Sequence, residues 1–311
     1  MHQATVLDNS KQRPRVVLLA SLWLGLVATG PTPARGTLDG VRESGTLTMG
    51  YLADAQPFSY TDAAGKAAGY AVALCTKIGD AVKSELKLPA LSVNFVAVPL
   101  DQRFPALEQG RIDVLCGAEP TLERRALVDF SIPILLSGTG VVIRADAPAR
   151  LEQVLSGREP PKQPIWRATQ GQAPERHVVA VIGSTPLEKA LSDRLKMSRI
   201  VVDVVSVNDN AAGIRMVLER RAAAFFSDHA LLLDVTRRDP SANKLVVLDR
   251  LFRRAQVALA VRRNDDDFRL VVDRTLSRLM RSGEAGSNYA NYFGAADRST
   301  LDFFQLVALP D

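Results

Sequence analysis

Residues 111–133 read RIDVLCGAEPTLERRALVDFSIP, and they carry the strongest structural signal in the chain. The stretch opens with a short apolar run at 112–116, bounded by Gly110 and Gly117, which is typical of a buried strand. Thr121 then stands where its side chain can cap a short helix that begins at Leu122. The stretch therefore predicts a buried strand that leads directly into the start of a helix.

A helix start beside a guanidinium is a suitable place for an anion. The first backbone N–H groups of a helix have no partner within it, and an arginine such as Arg124 can bind a carboxylate through two parallel hydrogen bonds. The alternative is that Arg124 and Arg125 are solvated surface charges, because most arginines are exposed. Spacing alone leaves both interpretations open.

The charge of the chain is concentrated at its beginning. The 311 residues carry a formal net charge of +5. Lys11, Arg13, Arg15 and Arg35 outnumber Asp8 by three within the first 35 residues, which leaves +2 for the rest. No dense basic block interleaved with aromatic residues remains, so the composition argues against a nucleic-acid partner.

Residues 1–36 have the pattern of an export signal. Basic residues precede the apolar run 16–28, and small residues follow it. The run is shorter than the roughly 20 residues that a membrane span needs, although an uncleaved anchor is the alternative. No cysteine follows closely, so we expect a cleaved, periplasmic protein without a lipid anchor.

The remaining chain alternates between strand and helix patterns. Strands are predicted at 46–51, 92–98 and 112–116, with helices between them, an order that indicates a parallel sheet. A second set begins with the apolar run 178–182 and the turn Gly183-Ser184-Thr185-Pro186. Between the two sets, residues 147–176 are rich in Pro, Gly and charge, which predicts a long loop.

These motifs resemble those of the family 3 periplasmic solute-binding proteins, the receptors of polar amino-acid ABC transporters. The matching residues are Gly110-Arg111-Ile112-Asp113, Thr121, Glu123-Arg124 and Asp129-Phe130-Ser131-Ile132-Pro133. The resemblance covers roughly residues 37–295 and also includes the turn at Ser184 and Thr185. It implies an α/β fold of two lobes, each a mainly parallel sheet flanked by helices, joined by two hinge strands. The implied lobes are residues 37–138 with 259–311, and residues 139–258.

The same resemblance implies how a ligand is held between the lobes. Arg124 would bind an α-carboxylate, Thr121 and the amides near Ser184 and Thr185 would add donors, and Asp228 would accept from an ammonium group. The predicted ligand site is completed by three further residues, Phe58, Gly117 and Glu119. Asp228 could instead cap the helix that follows it, and both roles can coexist.

Three positions depart from the family pattern. Ala55 and Leu100 stand where the family often has aromatic residues, and Glu119 replaces a usual Ser or Thr. A carboxylate at position 119 would repel a ligand carboxylate unless a cation intervenes. The side-chain pocket is therefore predicted to be unusual, and the ligand is an amino acid or a similar small polar zwitterion.

The two cysteines of the chain can be placed by the implied fold. Cys75 lies on an apolar helical stripe, and Cys116 ends the central strand. In the implied fold this helix packs on this sheet, which favours a disulfide in an oxidising compartment. The alternative is two small buried residues in a core.

The sequence also defines the other classes of function to weigh. We expect no cofactor, since the three histidines form no cluster for a metal site. We expect a membrane-bound ABC permease as partner, and a monomer. An alternative on the same fold is a periplasmic dehydratase acting on prephenate or arogenate, with Glu119 as general acid. A stand-alone sensor domain is a further option.

Overall fold

A computed structural model of the chain describes residues 36–158, 176–183, 201–238 and 240–310. These residues belong to one compact unit, Arg35–Asp311. The predicted export signal, apart from Gly36, lies outside the described residues, and so do Ser184 and Thr185. No helix within the described ranges is long and apolar enough to span a membrane.

The strands of the described residues form one large sheet and one small one. In chain order they are β1 (Thr46–Tyr51), β2 (Asp54–Ala55), β3 (Ser59–Thr61), β4 (Ala67–Ala68), β5 (Ser92–Ala97), β6 (Val114–Ala118), β7 (Val128–Arg144), β8 (Arg176–Ile182), β9 (Val201–Val207), β10 (Ala224–Asp228) and β11 (Leu245–Arg262). The large sheet has the order β5-β1-β6-β11-β7-β10-β8-β9, and β2, β3 and β4 form the small sheet.

The large sheet has two parallel halves joined by two long antiparallel strands. Strands β5, β1 and β6 run parallel in one half, and β10, β8 and β9 run parallel in the other. Between them, β7 and β11 pair antiparallel from Val128 opposite Arg262 to Arg144 opposite Leu245. This arrangement confirms the predicted fold class, with two mainly parallel half-sheets and two hinge strands.

The hinge strands are longer than the sequence pattern indicates. Residues 137–140 include two glycines, yet they lie inside β7, where they pair with β11. The apolar runs at 245–248 and 257–261 are both parts of β11. Because each hinge strand has a paired neighbour, its backbone groups are satisfied and the strand continues through the glycines. The predicted lobe boundaries fall inside these two strands and stay a prediction.

Helices flank the large sheet. Those described are Thr37–Ser44, Tyr70–Leu86, Arg103–Glu108, Leu122–Arg125, Ala149–Leu155, Asn210–Leu218, His229–Arg238, Asp266–Arg281, Glu284–Phe293 and Arg298–Val307, with a 3-10 turn at Ala242–Lys244. Helix Ala149–Leu155 corrects the prediction of a loop over 147–176, because Leu151 and Leu155, four residues apart, are both buried against the second half-sheet. Residues 159–175 of that predicted loop lie outside the described ranges.

A disulfide joins Cys75 to Cys116, as predicted, with their Cα atoms 6.1 Å apart. Cys75 lies in the middle of helix Tyr70–Leu86, and Cys116 lies in β6. Both belong to the largest apolar cluster of the first half. The disulfide therefore ties this helix to the strand whose end leads into the Thr121 helix start.

Close packing of helix Asn210–Leu218 on β10 depends on a glycine. A methyl group at Gly213 would lie 2.3 Å from Cε2 of the buried Phe225 ring. We expect Gly213→Ala to lower the free energy of unfolding by about 1–3 kcal/mol, the usual cost of overpacking, as measured by urea denaturation. Gly40→Ala is the matched control, because a methyl group in helix Thr37–Ser44 meets nothing within 4 Å. That change should stabilise by about 0.5–1 kcal/mol, and equal effects at both glycines would contradict the packing argument.

Candidate ligand-binding site

A cavity of about 230 Å³ lies between the two halves. Its walls come mostly from residues at the carboxyl ends of the parallel strands, where α/β proteins place their ligands. Gly117 and Ala118 end β6 in the first half, and Ser227 and Asp228 end β10 in the second. The hinge strands close one side with Thr139 and Arg253.

Four of the predicted site residues meet at this cavity. Gly117, Glu119, Arg124 and Asp228 all line it, although Asp228 is more than 100 residues from the others in the chain. Ala55 and Leu100, the positions where aromatic residues were expected and are missing, also line it. Residues predicted from motifs in both halves of the molecule thus line the same cavity.

Thr121 and Phe58, two further residues of the predicted ligand site, are not among the described residues that line the cavity. The Thr121 hydroxyl accepts a hydrogen bond from the Arg124 backbone N–H at 3.1 Å, so it caps the helix as predicted. The Phe58 ring lies 5.3 Å from that of Phe293, because it packs on the apolar cluster of the first half. Ser184 and Thr185 lie outside the described residues, and their role stays a prediction.

Arg124 is held firmly at the edge of the cavity. Its side chain is buried, and its Nη1 donates to the Glu119 backbone oxygen at 2.8 Å. Its guanidinium carbon lies 5.1 Å from the centre of the Phe104 ring, within the range of a cation–π contact. Burial lowers the pKa of Arg124 from its ordinary value, with the negative charge of Glu119 opposing the shift. This arrangement excludes the alternative of a solvated surface charge.

A second buried guanidinium, Arg103, was missed by the sequence reasoning. It is 5% exposed, its Nη1 donates to the Leu100 oxygen at 2.8 Å, and it lies 4.9 Å from the Phe104 ring that Arg124 also contacts. Burial and the nearby Arg124 lower the pKa of Arg103 to about 10. One sequence feature could have identified Arg103 as a site residue. It lies beside Phe104 at the start of a helix that follows a strand of the parallel sheet.

A third guanidinium, that of Arg253, also lines the cavity. Arg253 of β11 forms an ion pair with Glu119, 134 residues away in sequence. The sequence reasoning required a cation near Glu119 and could not say which one. Arg253 is that cation, and the Glu119 carboxylate is therefore not left facing a ligand without a partner.

Asp228 both caps a helix and faces the cavity. Its carboxylate accepts from the Ser137 hydroxyl and from the backbone N–H groups of Ala230, at 3.0 Å, and Leu231. Burial raises the pKa of Asp228 to about 6, and the negative charge of Glu119 adds to the shift, while these hydrogen bonds oppose it. Since this pKa lies above the ordinary value of 3.8, the folded protein holds this proton more tightly than the unfolded chain does, and the resulting stabilisation is lost as the pH rises from about 4 through about 6.

Asp54 connects the two halves on another side of the cavity. Burial raises the pKa of Asp54, and the negative charge of Asp209 adds to the shift. A hydrogen bond from the Asn210 backbone to Asp54 opposes it. Asp54 belongs to β2 in the first half, whereas Asp209 caps helix Asn210–Leu218 in the second and accepts from Ala212 at 2.6 Å. The sequence pattern gave no sign that these two carboxylates face each other.

Residues 47–295 match the sequence profile of the bacterial extracellular solute-binding proteins, family 3. This chain belongs to that family. In this family 3 solute-binding protein, four of the residues predicted from the family motifs line the cavity between the two half-sheets.

Named relatives of this family 3 protein are binding proteins. The L-glutamate/L-aspartate-binding protein of Pseudomonas aeruginosa is 30% identical over 283 residues, which cover 89% of this chain and 87% of that protein. The glutamate/aspartate import solute-binding protein of Escherichia coli is 26% identical over 286 residues, 91% of this chain and 88% of that protein.

Solved structures share the fold of this family 3 protein. The ancestral amino acid-binding protein AncCDT-1, a precursor of cyclohexadienyl dehydratase, is 23% identical with a TM-score of 0.67, covering 83% of this chain and all of that one. The cysteine-binding protein of Campylobacter jejuni is 20% identical with a TM-score of 0.66, covering 86% of this chain and 98% of that one. At these identities the similarity shows the fold.

Proposed function

We propose that this protein is the receptor of an ABC importer for an acidic amino acid. The observation that carries the proposal is the convergence of three guanidinium groups, those of Arg103, Arg124 and Arg253, on one cavity that also holds the Asp228 carboxylate. The lining also carries Asp54, Asp209 and Glu119, of which Glu119 is paired with Arg253. A ligand with two carboxylates and one ammonium group would meet Arg103, Arg124 and Asp228. The names of the relatives from Pseudomonas aeruginosa and Escherichia coli support the same choice.

The proposed ligand pose follows from the positions of the charged groups. Arg124 binds the α-carboxylate as a bidentate partner, next to the start of helix Leu122–Arg125. Asp228 accepts from the ammonium group across the cavity. Arg103 binds the side-chain carboxylate, since its guanidinium shares the Phe104 ring with Arg124 and lines the same space. A ligand that contacts both halves favours the closed arrangement of the lobes.

A thermal-shift screen followed by titration calorimetry tests this proposal. L-Glutamate and L-aspartate should each raise the melting temperature, and L-lysine should not. Because a buried arginine side chain without its carboxylate partner is poorly satisfied, L-glutamine should bind more weakly than L-glutamate. A protein that responds to no acidic amino acid, or to L-lysine more than to L-glutamate, would contradict the proposal.

We infer a receptor and not a dehydratase on two grounds. The named relatives are binding proteins, and the Glu119 carboxylate proposed as a general acid is paired with Arg253. An assay for turnover of prephenate and arogenate separates the two functions. Catalytic release of product by the wild-type protein that is lost in Glu119→Gln would favour the enzyme.

We also infer that residues 1–36 direct export and are removed, that the protein works as a periplasmic monomer, and that its closed form docks on a membrane permease. The Cys75–Cys116 disulfide agrees with an oxidising compartment. Membership of a family described as extracellular points the same way.

Binding should depend on pH through Asp228. If the ammonium group requires the ionised carboxylate, affinity for L-glutamate falls roughly tenfold between pH 7.5 and pH 5, as Asp228 is protonated through its pKa of about 6. Asp228→Asn should bind weakly at pH 7.5 and show a flat profile over this range. Asp234→Asn is the matched control, since Asp234 lies on the following helix, paired with Arg238. A wild-type affinity that is constant from pH 7.5 to 5 would rule out this role.

A further inference from the structure

The ion pair between Glu119 and Arg253 joins the two parts of the cavity wall. Glu119 follows β6 in the first half, and Arg253 lies on the hinge strand β11. The β7–β11 register shifts between Leu248 and Arg253, and Arg253 then pairs with Thr139, which also lines the cavity. The register shift thus helps to place the Arg253 side chain at the cavity.

One hydrogen-bond donor of Arg253 has no acceptor among the described residues. Its guanidinium contacts the Glu119 carboxylate, but its Nε is buried without a hydrogen-bond acceptor among the described residues. A buried donor without an acceptor is costly, and a ligand oxygen in the cavity would satisfy it. Arg253 can therefore bind Glu119 and a ligand at the same time.

Glu119 differs from the other carboxylates that line the cavity. Asp54, Asp209 and Asp228 accept hydrogen bonds from backbone N–H groups at helix starts, which stabilise their charge independently of any ligand. The side chain of Glu119 has the Arg253 guanidinium as its partner among the described contacts. Arg253 thus offsets the charge of Glu119, and Glu119 offsets that of Arg253.

We propose that the Glu119–Arg253 pair sets the charge selectivity of the cavity. This inference rests on the proposed function. With the pair intact, the two charges cancel and Arg103 carries the preference for an acidic side chain. Without Glu119, the positive charge of Arg253 acts on the ligand uncompensated, in addition to those of Arg103 and Arg124. Without Arg253, the negative charge of Glu119 acts on the ligand uncompensated.

The test compares L-glutamate with L-glutamine, which have nearly the same shape and differ in side-chain charge. Titration calorimetry gives the ratio of the Kd for L-glutamine to that for L-glutamate. In Glu119→Gln this ratio should rise roughly tenfold, and in Arg253→Gln it should fall roughly tenfold, as expected for one unit charge at the distance of a neighbouring side chain. In the double variant the ratio should return to within about threefold of the wild-type ratio.

Two controls separate charge from shape. Arg254→Gln changes the next residue, which is exposed and does not line the cavity, and should leave the ratio unchanged. Arg253→Lys keeps the charge and should keep the ratio within about threefold of wild type. If Arg253→Gln does not fold, the rise in Glu119→Gln decides the question alone.

The outcomes distinguish this proposal from the one it rests on. A wild-type protein that binds neither ligand overturns the proposed function and this inference with it. A wild-type protein that binds L-glutamate, with ratios unchanged in Glu119→Gln, overturns the selectivity role and leaves the proposed function intact. Shifts of both single variants in the same direction also overturn it, because opposite charges must act in opposite directions.

Discussion

Replacing Arg124 with alanine is expected to abolish ligand binding at practical concentrations. Arg124 is 9% exposed and lines the cavity, where it would bind the α-carboxylate of the proposed ligand. Truncating one partner of a buried charge pair costs about 2–5 kcal/mol, or roughly 30-fold to 5,000-fold in affinity. Titration calorimetry with L-glutamate measures this loss directly.

The adjacent arginine provides a matched control for this variant. Arg125 is exposed and faces the Phe130 ring at 5.4 Å, outside the cavity. Arg125→Ala removes the same charge from the same short helix and should change the affinity less than about threefold, because exposed charges are screened. Equal losses in the two variants would mean that net charge, and not the position of Arg124, governs binding.

Loss of the disulfide is expected to have the largest effect on stability. Cys75 and Cys116 are 41 residues apart, so the bond closes a long loop in the unfolded chain. The chain-entropy relation gives about 4 kcal/mol for a loop of this size. The variant Cys75→Ala/Cys116→Ala should lose about this much free energy of unfolding, together with a smaller loss from the void at two buried positions.

Chemical reduction separates these two contributions. Reducing the wild-type protein removes the bond and leaves both sulfur atoms in place, so it should lower the melting temperature by most of the amount seen in the double variant. The same reductant should leave the melting temperature of the double variant unchanged. A wild-type protein whose unfolding is insensitive to complete reduction would show that the bond contributes nothing.

The local motifs predicted the strand and the helix start around Thr121, whereas the resemblance to the family implied the two-lobed fold. The apolar run before Gly117 and the cap at Thr121 are short-range patterns, and the strand and helix start that they predict are present in β6 and helix Leu122–Arg125. Asp228 was implied as a site residue by the family pattern, and its alternative role as a helix cap is confirmed. The strand, the helix start and this cap each depend on contacts between residues close in sequence.

The remaining cavity residues depend on contacts that no short pattern contains. Arg253 meets Glu119 only because two hinge strands pair with a register shift, and alternation along β11 does not reveal which face turns toward the cavity. Arg103 shares the ring of its chain neighbour Phe104 with Arg124, and this second contact, from another helix, is the one that no short pattern contains. Phe58 shows the converse, since it fits the family motif and its ring lies against that of Phe293 in this molecule.

The pairing of β7 with β11 has a mechanical consequence. Two unpaired hinge strands could bend independently, but backbone hydrogen bonds join β7 and β11 into a single two-stranded ribbon. Such a ribbon bends most easily where its ladder is interrupted, and one interruption ends at Arg253. Rotation of one lobe against the other would therefore carry this guanidinium with it, so an anion bound there and the angle between the lobes should influence each other reciprocally.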